Sequence, residues 1–252
     1  PLLLTAGQTS DPMTGEFGQP QPVEQLCGLG QPGTQPPRDR ALGEPDVVLR
    51  RPVGQQVPAG VLHDGRHSRA AQGDQIVAET MPLVRLVNSA IESGVSQLPV
   101  FRAEVANFAA NDLLLYRAES PQALVAEEEL LWDAALVRLA RHFGIAFQPT
   151  IGIMHQAQPA PTLARLAEAI EEEPLLPLTA LVSITALTGS GLLAIGLRHG
   201  LFTPDEVWTA AHVDEAYNMR LWGAVDDAVL RHDKRRKEFD AAVRVLELIG
   251  QQ

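Results

Sequence analysis

"SRAAQGDQIVAETMPLVRLVNSAIESG", residues 68–94, is where the composition of this chain changes. Gly and Pro make up 20 of the first 70 residues, and Phe17 is the one aromatic there. The remaining 182 residues hold 19 Gly and Pro and eleven aromatics. Within the quoted stretch, Leu83, Leu86, Val87, Ala90 and Ile91 recur at the i, i+3, i+4, i+7, i+8 spacing of a helix that buries one face. Gly94 supplies the stop.

The helical rhythm continues towards the C-terminus. Phe101, Val105 and Phe108 predict a second helix, and "DLLLYRA" (112–118) a short buried segment. Ser120-Pro121 reads as an N-cap followed by proline at the first helical position. It opens a helix through Leu124, Leu131, Leu139 and Phe143 that ends at Gly144. "TIGIMHQAQPAP" (150–161) reads as a loop and "TLARLAEAIEEE" (162–173) as a short amphipathic helix. Residues 175–199, 203–222 and 225–249 predict three more. The expected fold is mainly α, a helical domain over about 71–252.

Residues 1–70 are another matter. "GQPQPVEQLCGLGQPGTQPPRDR" (18–40) has too little large apolar surface to offset the entropy of ordering its backbone. The segment is expected to be a disordered, low-complexity leader. "DVVLRRPVGQQVPAGVLHDG" (46–65) could form weak strands, interrupted by Pro52 and Pro58. "PLLLTAGQTSDPMTGEF" lacks both the basic region and the long apolar run of a secretory signal. Its start at Pro1, without methionine, reads as a chain whose true start is missing.

The formal net charge is −11, from 20 Lys and Arg against 31 Asp and Glu. Residues 71–252 carry 14 basic and 24 acidic side chains, so the helical part holds most of that charge. Nucleic acids and anionic membranes need basic patches, so neither is expected as the main partner. Cys27 is the only cysteine, which excludes an internal disulfide framework or a Cys-rich zinc site.

Several stretches could carry chemistry. "LLPLTALVSITALTGSGLLAIGL" (175–197) has no charge and is long enough to span a membrane. Pro177, the hydroxyl residues and "GSG" at 189–191 favour two buried helices broken near Gly189, with no stable membrane insertion. The same "GSG" lacks the register of a phosphate-binding loop, and close helix packing is its expected role. His212 and Glu215 share a helical face, and His232 lies one helix later. A metal-dependent helical enzyme using these three is the alternative reading, although neither HExxH nor a paired ExxH accompanies them. "DKRRKEF" (233–239) reads as a wet helical face paired with neighbouring acids. In "HVDEAYNMRLWGAVDD" (212–227), Asp214, Asn218, Trp222 and Asp226 recur every fourth residue. Such a stripe of acids, an amide and an indole suits either a core edge or a partner-binding hot spot.

"DQIVAETMPLVRLVNSAIE" (74–92), "DLLLYRAESPQALVAEEELLWD" (112–133), "ALTGSGLLAIGL" (186–197) and "VDEAYNMRLWG" (213–223) resemble the assembly chaperone of the F-type ATP synthase that binds the free α subunit of the catalytic head. The resemblance covers about residues 71–252. It implies a monomeric, non-enzymatic protein with no cofactor, which holds the α subunit soluble until the β subunit replaces it. It also implies a bacterial cytoplasmic location, or the mitochondrial matrix in a eukaryote. Its fold would join an N-terminal β domain to a helical domain. By position, Asp214, Glu215, Asn218, Trp222, Gly223 and Asp226 are carried over as partner-binding candidates, with Asn218 for the family's Gln and Asp226 for its Glu. Residues 1–70 depart from the family. "LRRPVGQQVPAG" (49–60) is their nearest match to its strands, and Arg69 stands where its tryptophan falls. The β domain is therefore expected to be absent or replaced, through a frame error or an aberrant start joined near Ala71. Its loss should expose an apolar flank from Met81 to Leu86.

Overall fold

The computed structural model describes residues 77–250. The leader, with the disorder, weak strands and frame error expected of it, lies outside the described residues.

The description opens with a 3-10 turn at Ala78–Thr80. Helix α1 (Pro82–Ser93) carries proline in its first turn and ends at Gly94, whose φ of 70° is the left-handed region that glycine enters without steric cost. Leu83, Val87 and Ala90 of the predicted face are buried. Along the flank expected to be open at Met81–Leu86, Met81 and Leu83 are 7% and 1% exposed, while Val84 and Leu86 are half-buried. Helix α2 (Leu98–Ala110) follows, and it buries Val105 and Ala109 but leaves the predicted core residue Phe108 exposed.

Strand β1 (Tyr116–Arg117) and strand β2 (Thr150–Ile151) form a two-residue parallel pair with Tyr116 opposite Thr150. So short a pair shows no alternation in sequence, which is why the second segment reads as loop. Between them run helix α3 (Gln122–Glu128), a π-helical turn at Glu129–Asp133, and helix α4 (Ala134–Phe143). Pro121 is not the first helical residue: its ψ of 156° is extended and it occupies the cap position itself, without a side-chain cap. Gly144 ends α4 in the left-handed conformation, as expected.

Helix α5 (Ala160–Glu168) precedes helix α6 (Leu175–Thr188) and helix α7 (Gly191–Arg198), which meet at Gly189. The first half of α6, Leu175–Leu181, is buried all round, and α10 (Asp226–Gly250), α2, α7 and α1 pack on the helix; Ala186 in its second half is exposed. That accounts for the uncharged run 175–197, because a helix with neighbours around most of its surface has little room for charge. Among the described residues, no helix is long and apolar enough to cross a membrane. Each fully buried Leu or Ile here contributes about 1.5–3 kcal/mol. The hydroxyls of Thr179 and Thr188 are also buried, and each donates to the carbonyl four residues back at 2.7 Å.

The close approach of α7 and α2 rests on Gly191. A Cβ there would lie 2.4 Å from the Val105 carbonyl oxygen and 2.7 Å from the Ala109 nitrogen. The "GSG" segment thus serves helix packing, as the sequence suggests.

Helix α8 (Pro204–Ala211) starts with a capping box in which Thr203 and Glu206 each bond the other's backbone N–H. Helix α9 (Val213–Trp222) completes the predicted 203–222 helix as a separate piece. In α10 only the second half enters the core, through Phe239, Ala242 and Val245 among others.

Candidate functional site

The break between α8 and α9 is at His212. Its Nδ1 lies 2.8 Å from the Trp208 carbonyl, so it donates there and satisfies one of the orphan acceptors at the end of α8. Burial lowers the pKa of His212, which favours the neutral imidazole. The Trp208 indole N–H donates to His232 Nε2 at 3.1 Å, which occupies that lone pair. Glu215 faces Arg235 of α10 at 3.7 Å. The three residues of the metal-enzyme reading are therefore brought close, with 5.6 Å between the two imidazole centroids, yet each already has another partner. Among the described residues, no group of three or more His, Cys, Asp or Glu is placed to hold a metal ion.

The "DKRRKEF" face is paired much as expected. Arg236 holds Asp205 at 2.6 Å and Asp240 at 2.8 Å, and Arg235 donates to the Leu187 carbonyl at 2.6 Å.

Helix α9 is seated on α3. The guanidinium of Arg220 binds the Glu127 carboxylate. One turn of α3 ends at Glu128, which is buried and accepts the Ala118 N–H at 2.8 Å. Burial raises the pKa of Glu128, and the nearby Asp214 carboxylate adds to the rise. The π turn that follows points Trp132 inwards, where its indole N–H donates to the Ala210 carbonyl at 2.7 Å. Arg117, itself buried, covers that indole at 5.0 Å and binds Asp133.

On this scaffold Asp214 and Asn218 are exposed and Trp222 is 80% exposed, all on α9. Gly223, with φ of 84°, turns the chain, and Asp226 opens α10 rather than extending the α9 stripe. The sequence grouping of four thus becomes three residues on one helix and a fourth beyond a corner. Glu215 differs from the others: half-buried and tied to Arg235, it joins two helices. The core-edge reading of Trp222 does not hold, because the indole stands in solvent.

The corner also carries Leu221, Val225 and Leu230, which are 55%, 67% and 66% exposed. These were not among the sequence candidates. Their signal was available: apolar residues on both sides of a Gly break in an otherwise charged stretch. An exposed indole with exposed aliphatic and acidic residues near it along the chain has the composition of a protein-binding patch, apolar at its centre and polar at its rim.

Comparison with known proteins agrees with the sequence resemblance. Residues 66–140 match the model of the ATP12 chaperone protein family. The crystal structure of Atp12 from Paracoccus denitrificans superposes with a TM-score of 0.69 at 27% identity, over 79% of this chain and 87% of that one. The Atu1473 protein of Agrobacterium tumefaciens, assigned as a candidate chaperone, superposes with a TM-score of 0.66 at 35% identity, over 69% of this chain. This chain spans 65% of the length of the Agrobacterium protein. In sequence over residues 66–140, and in its helical fold, the chain is similar to the ATP12 chaperone protein family.

Proposed function

We propose that the protein is an assembly chaperone of the F-type ATP synthase, which binds the unassembled α subunit and keeps it soluble until the β subunit takes its place. The family resemblance supplies the client. The observation that carries the reading is Trp222, a large indole 80% exposed beside Leu221 and Val225 and near Asp214, Asn218 and Asp226. Exposed aromatic and aliphatic clusters of this kind mark interaction sites on soluble proteins. Subunits that await assembly expose apolar surface and aggregate through it, so a binder that covers such surface prevents the loss. The acidic body favours a client face with basic side chains. Release by competition with β requires a contact of modest area and partly polar character, which a corner between two helices provides.

The test is co-expression of the α subunit alone with this chain. Soluble α should rise several-fold over an empty-vector control, and Trp222→Ala should remove most of the gain. Insoluble α in the presence of abundant folded chaperone would contradict the proposal.

A further inference from the structure

A second surface adjoins this corner. Between the α3–π–α4 helix and α8 lies a groove of about 460 Å³, and Leu130, Ala134, Phe202 and Thr209 are among its lining residues. Leu130 is 73% exposed, Ala134 is exposed, and Val137 one turn on is 45% exposed. A row of apolar side chains in solvent is unusual on a helix whose opposite face already fills the core. Arg138 bridges the walls of the groove, with bonds to the Leu201 carbonyl at 3.0 Å and to Glu206 at 2.7 Å. Its guanidinium lies 5.3 Å over the Phe202 ring, and that ring rests on Gly196, where an added Cβ would come within 2.1 Å.

We propose that this groove receives a basic amphipathic helix of the client, as an extension of the α9 surface; the proposal rests on the chaperone reading. Three observations identify the occupant. Both walls are helices whose backbone groups are bonded internally, so they offer no edge to an extended strand; side-chain packing, which suits a helix, is what remains. Leu130 to Val137 spans eight residues, about 12 Å or two helical turns, enough for i, i+3, i+4 and i+7 anchors. Acids line the rim: Glu129 is exposed, and the side chains of Asp133 and Asp205, shared with Arg117 and Arg236, are still 55% and 85% exposed. The groove is also continuous with the α9 surface. Ala210 on its wall lies three residues before α9, and Glu128, next to Glu129 on its rim, neighbours Asp214.

The test uses a fluorescein-labelled peptide of about fourteen residues, an amphipathic helix of Leu and Lys, titrated with the full chain and read by anisotropy. Leu130→Ser and Ala134→Gln leave the net charge unchanged and alter exposed positions. Each should weaken peptide binding at least tenfold, while Val100→Ser, at an exposed site on α2, should not. The unlabelled peptide should displace the free α subunit. Equal peptide affinity for wild type and both groove variants, or no binding to wild type, overturns the proposal. So does α that binds but is neither displaced by the peptide nor weakened by the groove variants. Groove-specific peptide binding without any binding of α would instead sink the chaperone reading and leave the groove as a receptor for basic helices.

Discussion

The Ser190 hydroxyl lies 2.7 Å from the carboxylate of Asp112, a residue 78 positions earlier and wholly buried. Asp112 also accepts the backbone N–H of Leu192 at 2.9 Å and of Leu114 at 3.2 Å. One carboxylate thereby satisfies donors at the start of α7 and in the 3-10 turn Leu113–Leu115 that it caps itself.

Burial pushes the pKa of Asp112 up from 3.8 to about 7, against the opposing effect of those hydrogen bonds. An acid with a raised folded pKa holds its proton more tightly in the fold. Its contribution is therefore full below pH 3.8 and is lost as pH rises through about 7. Asp112→Asn cannot titrate. Wild type should lose up to roughly 4 kcal/mol of stability relative to that variant between pH 4 and pH 8. Urea unfolding of both proteins at a series of pH values measures this, and parallel profiles would refute it.

Gly191→Ala should be among the most damaging single-methyl additions. The new Cβ meets backbone atoms of α2, which cannot rotate away, so α7 must shift. The expected cost is about 1–3 kcal/mol or more. At Gly94 no atom lies within 4 Å of an added Cβ, and only the left-handed backbone opposes it, at about 1 kcal/mol. Denaturation midpoints that rank the two in reverse would contradict the packing described.

Trp132→Phe keeps the aromatic bulk but removes the donor to Ala210. An unpaired carbonyl between the π turn and α8 should cost about 1–3 kcal/mol. Thermal unfolding of the variant checks it, and an unchanged Tm would show that the bond contributes nothing.

Trp222→Ala should separate binding from folding. An 80% exposed side chain contributes little to the fold, so stability should stay within about 0.5 kcal/mol of wild type. Affinity for the client should drop about thirtyfold, the loss of a hot-spot anchor of about 2 kcal/mol. Calorimetric unfolding alongside a binding titration reads both.

The helices from residue 82 onward were legible because their apolar spacing is long and regular, and Gly94, Gly144 and Gly189 punctuate it as expected. The break at His212 was not, because it depends on a side chain that bonds a carbonyl four residues back, inside an unbroken helical pattern. Phe108 misled for a related reason: periodicity identifies a face, and here that face reaches solvent. Asp214, Asn218 and Trp222 share α9 as their spacing expects, and the turn at Gly223 that separates Asp226 from them falls between the expected helices 203–222 and 225–249. Leu221, Val225 and Leu230 had a signal in the Gly break that they flank, but helical spacing alone does not select them. The groove at Leu130 was hidden as well, since it needs α8, some seventy residues away, as its second wall.

The central claim is that this chain recognises the unassembled α subunit. Its most direct test is equilibrium binding of the full chain to purified free α, with free β as the control, and with Trp222→Ala alongside. The account predicts saturable binding of α, no binding of β, and a markedly weaker complex with the variant. Failure to bind α, or equal binding of α and β that Trp222→Ala leaves unchanged, would contradict it.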